Sequence, residues 1–401
     1  MEFADRLKPL QTNVFADMDR AKAKALKLGQ SIIDLSLGSS DLPTAPHVLE
    51  AIAAALPDTS THGYSLFHST LPFRKTAAAW YTQKFGIPVD PETEVLLLIG
   101  SQEGTAHLPL ALLNPGDFAL LTDPGYPSHA GGVHLANGQI YTMPLRAEHG
   151  FLPQFADIPE AVLAQARMMV LSYPHNPTTG YASSSFWKEA VDFCKTHDLA
   201  LIHDFPYGDV TYTGEPAPSV LQADLEKAVS IEFFSMSKSY NMGGFRVGYA
   251  IGNAELIAAL RQIKAIVDFN QYPGIVRGAM AALSGPQDGV KKTVETFRQR
   301  QDTFVDAMAR IGWEIPKPNA TQYLWVKLPE PWAQDSIDFC VKLVEATGVA
   351  LAPGRGFGKY GEGYVRIALV QSPEVLEAAV QKIDGFLKSS RANAFDDAPS
   401  P

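Results

Sequence analysis

Short apolar runs alternate with amphipathic stretches along most of this chain. Strand candidates are EVLLLI (94–99), DFALLT (117–122), QIYTMP (139–144), RMMVLSY (167–173), LALIHD (199–204) and SIEFFS (230–235). They are rich in Val, Ile, Leu and Phe and alternate little, as strands do when both faces are buried. Helical periodicity fills several of the intervals, including Gln102–Leu113 and Ser184–Thr196. A further helix near 47–56 has Pro46 where a first-turn proline is tolerated. This βα rhythm predicts an α/β fold with a mostly parallel central sheet. Beyond about residue 285 the pattern changes. A long amphipathic stretch (290–311) leads to YLWVKL (323–328), a helix near 335–347, VALAPG (349–354), GYVRIAL (363–369) and a final helix near 373–388. The expected division is therefore a large domain over 47–285 and a smaller α+β domain from 1–46 and 286–390. Residues 391–401, polar and Pro-tipped, are expected to form a disordered tail.

Composition narrows the function classes. With 401 residues, 46% of them hydrophobic, the chain can bury two cores. Its 33 basic and 43 acidic residues give a net charge of −10, which argues against nucleic acid as a partner but not against a small anionic ligand. Cys194 and Cys340 each sit at helical apolar spacing and read as buried thiols rather than a disulfide framework. The N-terminal stretch carries Asp5, Asp17 and Asp19 and lacks the apolar centre of a leader. The longest apolar run, about Val95 to Ile99, is too short for a membrane span. A cytoplasmic protein with no membrane partner is the expectation.

The chemistry concentrates at the ends of the strand candidates. SIEFFSMSKSYNMGGFRVGY (230–249) ends a strand in Ser235, Ser237 and Lys238, with Arg246 eight residues after the lysine. Two hydroxyls and a planar guanidinium fork suit a phosphate, and a lysine beside cations suits Schiff-base chemistry. HDFPY places Asp204 and Tyr207 after LALIHD; SYPHNPTTG places Asn176 after RMMVLSY; IGSQEG places Ser101 and Gln102 after EVLLLI; DPGYP places Tyr126 after DFALLT. Ligands of open parallel sheets bind outside the carboxyl ends of the strands, so five strand ends offer polar or aromatic groups to one crevice. Pyridoxal 5'-phosphate asks for these types. It acts as an electron sink when its ring nitrogen stays protonated, which an acid such as Asp204 secures. Its ring oxygen takes donors (Tyr207, Asn176) and its flat ring takes a stacking partner (Tyr126). Its phosphate takes a helix N-terminus, hydroxyls and an arginine: Ser101, Gln102, Ser235, Ser237 and Arg246.

The set LGSSDLPTAPH, HGYS, IGSQEG, DPGYP, NPTTG, HDFPY, SMSKSYNMGGFRVGY and YVRIAL resembles the class I/II aminotransferases of fold type I. Within them it is most similar to the alanine and LL-diaminopimelate branch, from about Leu10 to Phe386. The resemblance implies that Lys238 carries the cofactor as a Schiff base and moves the substrate proton. It implies that Arg366 grips the substrate α-carboxylate, aided by the backbone of Gly38 and by Asn176. It implies a cis peptide before Pro177, and a homodimer in which Tyr64 reaches the partner's cofactor phosphate. Glutamate and 2-oxoglutarate are expected as one substrate pair. Three departures bear on the other pair: Ser39-Ser40 after Gly38, Ser69 in place of a usual glycine, and Gln102 where relatives often carry a lysine. With Gln102 neutral, a distal carboxylate would need another cation, Lys264 or an arginine of the partner subunit.

GFGKYG (356–361) satisfies the dinucleotide pattern G-x-G-x-x-G, but it lies between two strand candidates and reads as a mobile loop over the substrate. Scattered histidines such as His129 and His134 lack metal-ligand spacing, so no metal site is expected. Two other classes stay open: a lyase or oxidase using the same cofactor, and a non-enzymatic module that keeps the cofactor site as a sensor.

Overall fold

The computed structural model describes residues 1–10 and 14–396. Six of the expected runs form strands of one seven-stranded sheet: β2 (Val95–Leu98), β3 (Phe118–Asp123), β4 (Gln139–Pro144), β5 (Ala166–Leu171), β6 (Ala200–Asp204) and β7 (Ser230–Ser235). A seventh strand, β8 (Gly248–Gly252), was not among the candidates. Its sequence GYAIG is short and glycine-bounded, so it lacks the apolar run that marks the others. The strand order is β2-β8-β7-β6-β5-β3-β4, parallel throughout except for β8, which pairs antiparallel with both β2 and β7. Alternate residues of each strand feed opposite faces. Leu97, Leu120, Met169 and Leu201 enter one apolar cluster; Leu98, Leu121, Val170 and Ile202 enter another on the far side. Both faces are mostly buried along β2, β5, β6 and β7, which accounts for their unbroken apolar runs.

Helices cover these faces: α2 (Pro46–Ala55), α3 (Leu71–Phe85), α4 (Ser101–Leu112), α5 (Pro127–Leu135), α6 (Glu160–Leu163), α7 (Ser184–Thr196), α8 (Met236–Ser239), α9 (Ala254–Val267) and α10 (Pro273–Ser284). Proline occupies the first turn of α2, α3, α5 and α10, where its missing N–H costs no helical bond. Ser183 caps α7 by accepting from Phe186 N–H at 3.2 Å.

A separate apolar cluster joins α1 (Val14–Lys27), α11 (Asp288–Arg310), α12 (Ser336–Thr347) and α13 (Pro373–Asp396) around two small sheets. One is β11-β12-β9, antiparallel, built from Ala352–Pro353, Tyr364–Ala368 and Tyr323–Lys327. The other pairs β1 (Ile33–Asp34) with β10 (Val349–Ala350) in parallel. VALAPG, expected as one strand, thus divides between two sheets. The tail expected from 391 is instead helical as far as Asp396, and residues 397–401 lie outside the described residues. Cys194 and Cys340 are buried free thiols, and burial pushes both thiols up in pKa. Among the described residues no helix is long and apolar enough to cross a membrane.

Candidate active site

A cavity of about 1000 Å³ opens at the carboxyl edge of the large sheet, and every predicted site residue except Tyr64 lines it. The β2–α4 junction delivers Gly100, Ser101 and Gln102. Gly100 has φ 76°, and a Cβ there would lie 2.5 Å from Arg246 Nη2, so only glycine lets the guanidinium sit against this turn. Arg246 itself precedes β8. Because β8 runs antiparallel, its beginning lies at the same edge as the ends of its neighbours, and Arg246 sits against the turn that opens α4. The end of β7 supplies Ser235, whose hydroxyl accepts from Ser237 N–H at 3.2 Å and so starts the turn that carries Lys238. The half-buried Lys238 Nζ donates to Gly38 O at 2.5 Å.

Asp204 ends β6 and is 5% exposed. One carboxylate oxygen lies 3.1 Å from His129 Nε2; the other is buried and has no hydrogen-bond partner among the described residues. Tyr207, three residues on, donates to Tyr323 Oη at 2.9 Å, and burial drives its own pKa well above the ordinary 10. Tyr126 donates to Gln102 Oε1 at 3.2 Å and meets the His129 ring edge-on. Burial, and then the Asp204 charge, raise its pKa.

Arg366 projects from β12, buried between two aromatic rings: Tyr323 at 4.4 Å and Phe357 at 4.7 Å from the guanidinium carbon. It donates to Asn176 Oδ1 at 2.8 Å and Ser36 O at 2.6 Å, while its buried Nε has no hydrogen-bond partner among the described residues. The Asn176–Pro177 peptide is cis, as are those before Pro124, Pro174 and Pro331.

Two residues of this cluster escaped the sequence reading. The sequence offers His129 only as a metal-ligand candidate; its signal is its place three residues after Tyr126 on the first turn of α5, which puts both rings on one face. Tyr323 carried no signal, because the diagonal pairing of β9 with β12 alone brings it under Arg366. Burial opposes its ionisation, yet the nearby Lys238 and Arg366 charges bring its pKa below 10. Tyr64 lies outside this cavity and is 95% exposed.

Lys264 is not available to a distal substrate carboxylate. It is fully buried beneath α4, donating to both oxygens of Glu103 at 2.8 and 2.9 Å and to Asp268 at 3.2 Å, and it does not line the cavity. Burial lifts Glu103 to about 7 against the pull of Lys264 and of the Ile99 N–H. Glu103 and Asp268 also meet His107 there, and the Lys264 ammonium supplies the positive charge of that cluster.

Residues 30–383 match the family described as aminotransferase class I and II. The chain belongs to that family. It is an aminotransferase that uses pyridoxal 5'-phosphate, and its fold is that of the fold-type-I enzymes. Among curated relatives, the LL-diaminopimelate aminotransferase of Moorella thermoacetica is 40% identical over 96% of this chain and 98% of its own. That of Aquifex aeolicus is 42% identical over 95% and 98%. Substrate-bound BacF from Bacillus subtilis superposes with TM-score 0.91 at 36% identity, covering 96% of this chain and 98% of that one. A probable N-succinyldiaminopimelate aminotransferase from Thermus thermophilus does so with TM-score 0.88 at 44% identity, covering 93% and 99%.

Proposed function

We propose that this aminotransferase holds its cofactor in the 1000 Å³ cavity, with Lys238 as the attachment point and Arg366 as the reader of the substrate α-carboxylate. The observation that carries the reading is the lone Asp204 oxygen. A buried carboxylate oxygen without a partner is costly, and a protonated ring nitrogen would satisfy it. Two further observations support the fit. Ser101 and Gln102 open α4 beside Arg246, which suits a phosphate. Tyr126 also lines the cavity and offers an aromatic face for a flat ring.

When bound, the cofactor supplies an electron sink for the pair released as the substrate Cα–H bond breaks. The remaining work falls to the chain. Lys238 Nζ takes the Cα proton and delivers it to the acceptor carbon, moving within reach of both from its turn after β7. His129 holds one Asp204 oxygen, which leaves the other for the ring nitrogen. Tyr207 remains protonated, and its one O–H, given to Tyr323 here, would turn to the ring oxygen of the bound cofactor; Asn176, whose oxygen is taken by Arg366, keeps its amide nitrogen as a donor. Arg366 is locked by Asn176, Ser36 and two rings, which fixes the angle at which a carboxylate docks.

The substrate follows from what the cavity lacks. Lys238, Arg246 and Arg366 are the only lysines or arginines among its described lining residues, and all three have work in this reading. A second, isolated carboxylate finds no cation, whereas the neutral zwitterionic end of a diaminopimelate-type donor needs none and finds Ser39, Ser40 and His134. Burial keeps His134 below its ordinary pKa and therefore neutral. The names of the curated relatives support the same donor; the glutamate and 2-oxoglutarate pair, implied by the family resemblance, carries a distal carboxylate that no described lining residue of this chain pairs, and it would need an arginine of the partner subunit. In a screen that follows cofactor absorbance, LL-diaminopimelate is expected to exceed aspartate in kcat/KM by about tenfold or more, since a buried group left unpaired costs roughly 1–3 kcal/mol. Preferred turnover of aspartate would reject this pocket, and ammonia release without an acceptor would mean a lyase or oxidase instead.

The same reading includes a two-fold homodimer. Tyr64 and Leu66 stand exposed beside Ile266 and Val267, with the two segments tied by Asn270 donating to Ser65 O at 2.8 Å and by the Phe67–Phe269 ring contact. Such an apolar patch suits a second copy, which would bring Tyr64 to the partner's phosphate. Sedimentation of the active enzyme is expected to give a dimer; a fully active monomer contradicts it. The separate apolar clusters support the division into domains at 47–285 and at 1–46 with 286–390.

A further inference from the structure

The motif GFGKYG has a partner in the structure, and that partner is an anion of the chain itself. Residues 354–361 form two short 3-10 turns at the cavity mouth. The N–H groups of Lys359 and Tyr360 donate to the two oxygens of Asp123 at 3.0 and 2.9 Å. A further rung runs from Gly125 N–H to Phe357 O at 2.9 Å. The glycines make this approach possible. Gly358 has φ 142°, and a Cβ on it would lie 2.1 Å from Asp123 Oδ1. A Cβ on Gly361 would lie 2.2 Å from Gly354 O, so the turn closes on itself only without side chains there. Successive backbone N–H groups in such a turn form a concave anion site, and bonds to an ionised acceptor are the stronger kind. The spacing that suggests a dinucleotide pyrophosphate here encloses a carboxylate.

The two ends of this contact belong to different parts of the fold. Asp123 ends β3 in the large sheet, three residues before Tyr126. The 354–361 turn links β11 to β12, carries Phe357 against Arg366, and is anchored by Trp325 and Ala352. Phe357 and Tyr126 both line the cavity. The geometry points to Asp123 as a latch: a positioning residue that clasps the 354–361 turn to the Tyr126 turn and so keeps Phe357 packed on Arg366 while a substrate carboxylate docks. The inference rests on the proposed role of Arg366.

Hydrogen–deuterium exchange on the cofactor-loaded full chain tests it without any substrate. In Asp123→Asn, the Lys359 and Tyr360 amides are expected to exchange about tenfold faster or more, with the cofactor absorbance unchanged. With L-glutamate as donor, KM is expected to rise about tenfold while kcat changes less than about threefold, because the lost order weakens binding rather than proton transfer. Gly358→Ala attacks the same contact from the other side and is expected to reproduce both results; it carries the comparison should Asp123→Asn fail to fold. Unchanged exchange in either folded variant overturns the latch. So does faster exchange with unchanged KM, or loss of cofactor from both variants, which would make Asp123 a prop for the Tyr126 turn. A failure of the Arg366 reading is distinguishable: Arg366→Lys would keep its KM while the exchange result stood.

Discussion

Lys238→Ala is expected to lower turnover by about 10⁴-fold or more, the upper end of what a positioned proton-transfer group contributes. The loss is large because one amine serves twice, as the attachment point and as the base. The surroundings favour that double use. Lys238 follows a serine-capped turn at the end of β7, is half-buried, and is held by the Gly38 carbonyl with no carboxylate partner among the described residues. Lys264 shows the contrast: it is fully buried with Glu103 and Asp268, and releasing it would strand two carboxylates. Borohydride reduction of the loaded enzyme followed by peptide mapping is expected to label Lys238. A label on Lys264 or any other lysine would sink the assignment.

Asp204→Ala is expected to retain some cofactor and to lose about 10² to 10⁴ in turnover. Asp204→Asn should lose nearly as much, because an amide keeps the shape but not the charge that holds a ring nitrogen protonated. The His129 contact adds a discriminating detail. One oxygen of Asp204 lies against the Nε2 of His129, a residue that does not line the cavity, and the other is buried without a hydrogen-bond partner among the described residues, so His129 acts on the acid rather than on a bound molecule. His129→Ala should therefore cost far less than Asp204→Ala. Steady-state kinetics with cofactor absorbance as the control would decide it, and near-wild-type turnover in Asp204→Ala would remove this residue from the ring nitrogen.

Much of the site was legible because parallel strands deliver their functional groups at one predictable place. Ser101, Tyr126, Asn176, Asp204 and Lys238 each follow an apolar run, and the polypeptide rises from every such run to the same edge of the sheet. What was not legible came from pairing across distance. The missed β8 is antiparallel, and that reversal is what carries Arg246 to the shared edge. Arg246 was found from its motif, while the reason for its position was hidden in a five-residue strand with a weak apolar pattern.

Lys264 and Tyr323 mark the same boundary. A lysine in a helical pattern reads as solvent-exposed and available, and nothing local announces that Glu103, 161 positions away, encloses it. Tyr323 reads as one apolar residue of YLWVKL until β9 pairs with β12 and sets it under Arg366. The glycines of GFGKYG illustrate it once more: their spacing announces a backbone that admits an anion, but only the juxtaposition of β3 with the β11–β12 turn identifies Asp123 as that anion. By itself the sequence determined the α/β fold, the strand ends that furnish the chemistry, and the family, because periodicity and motif spacing are local properties of the chain. Which cation stays free, which acid keeps an unpaired oxygen, and what the glycine turn binds were decided only in the tertiary structure, because burial and charge pairing depend on residues far apart in the chain.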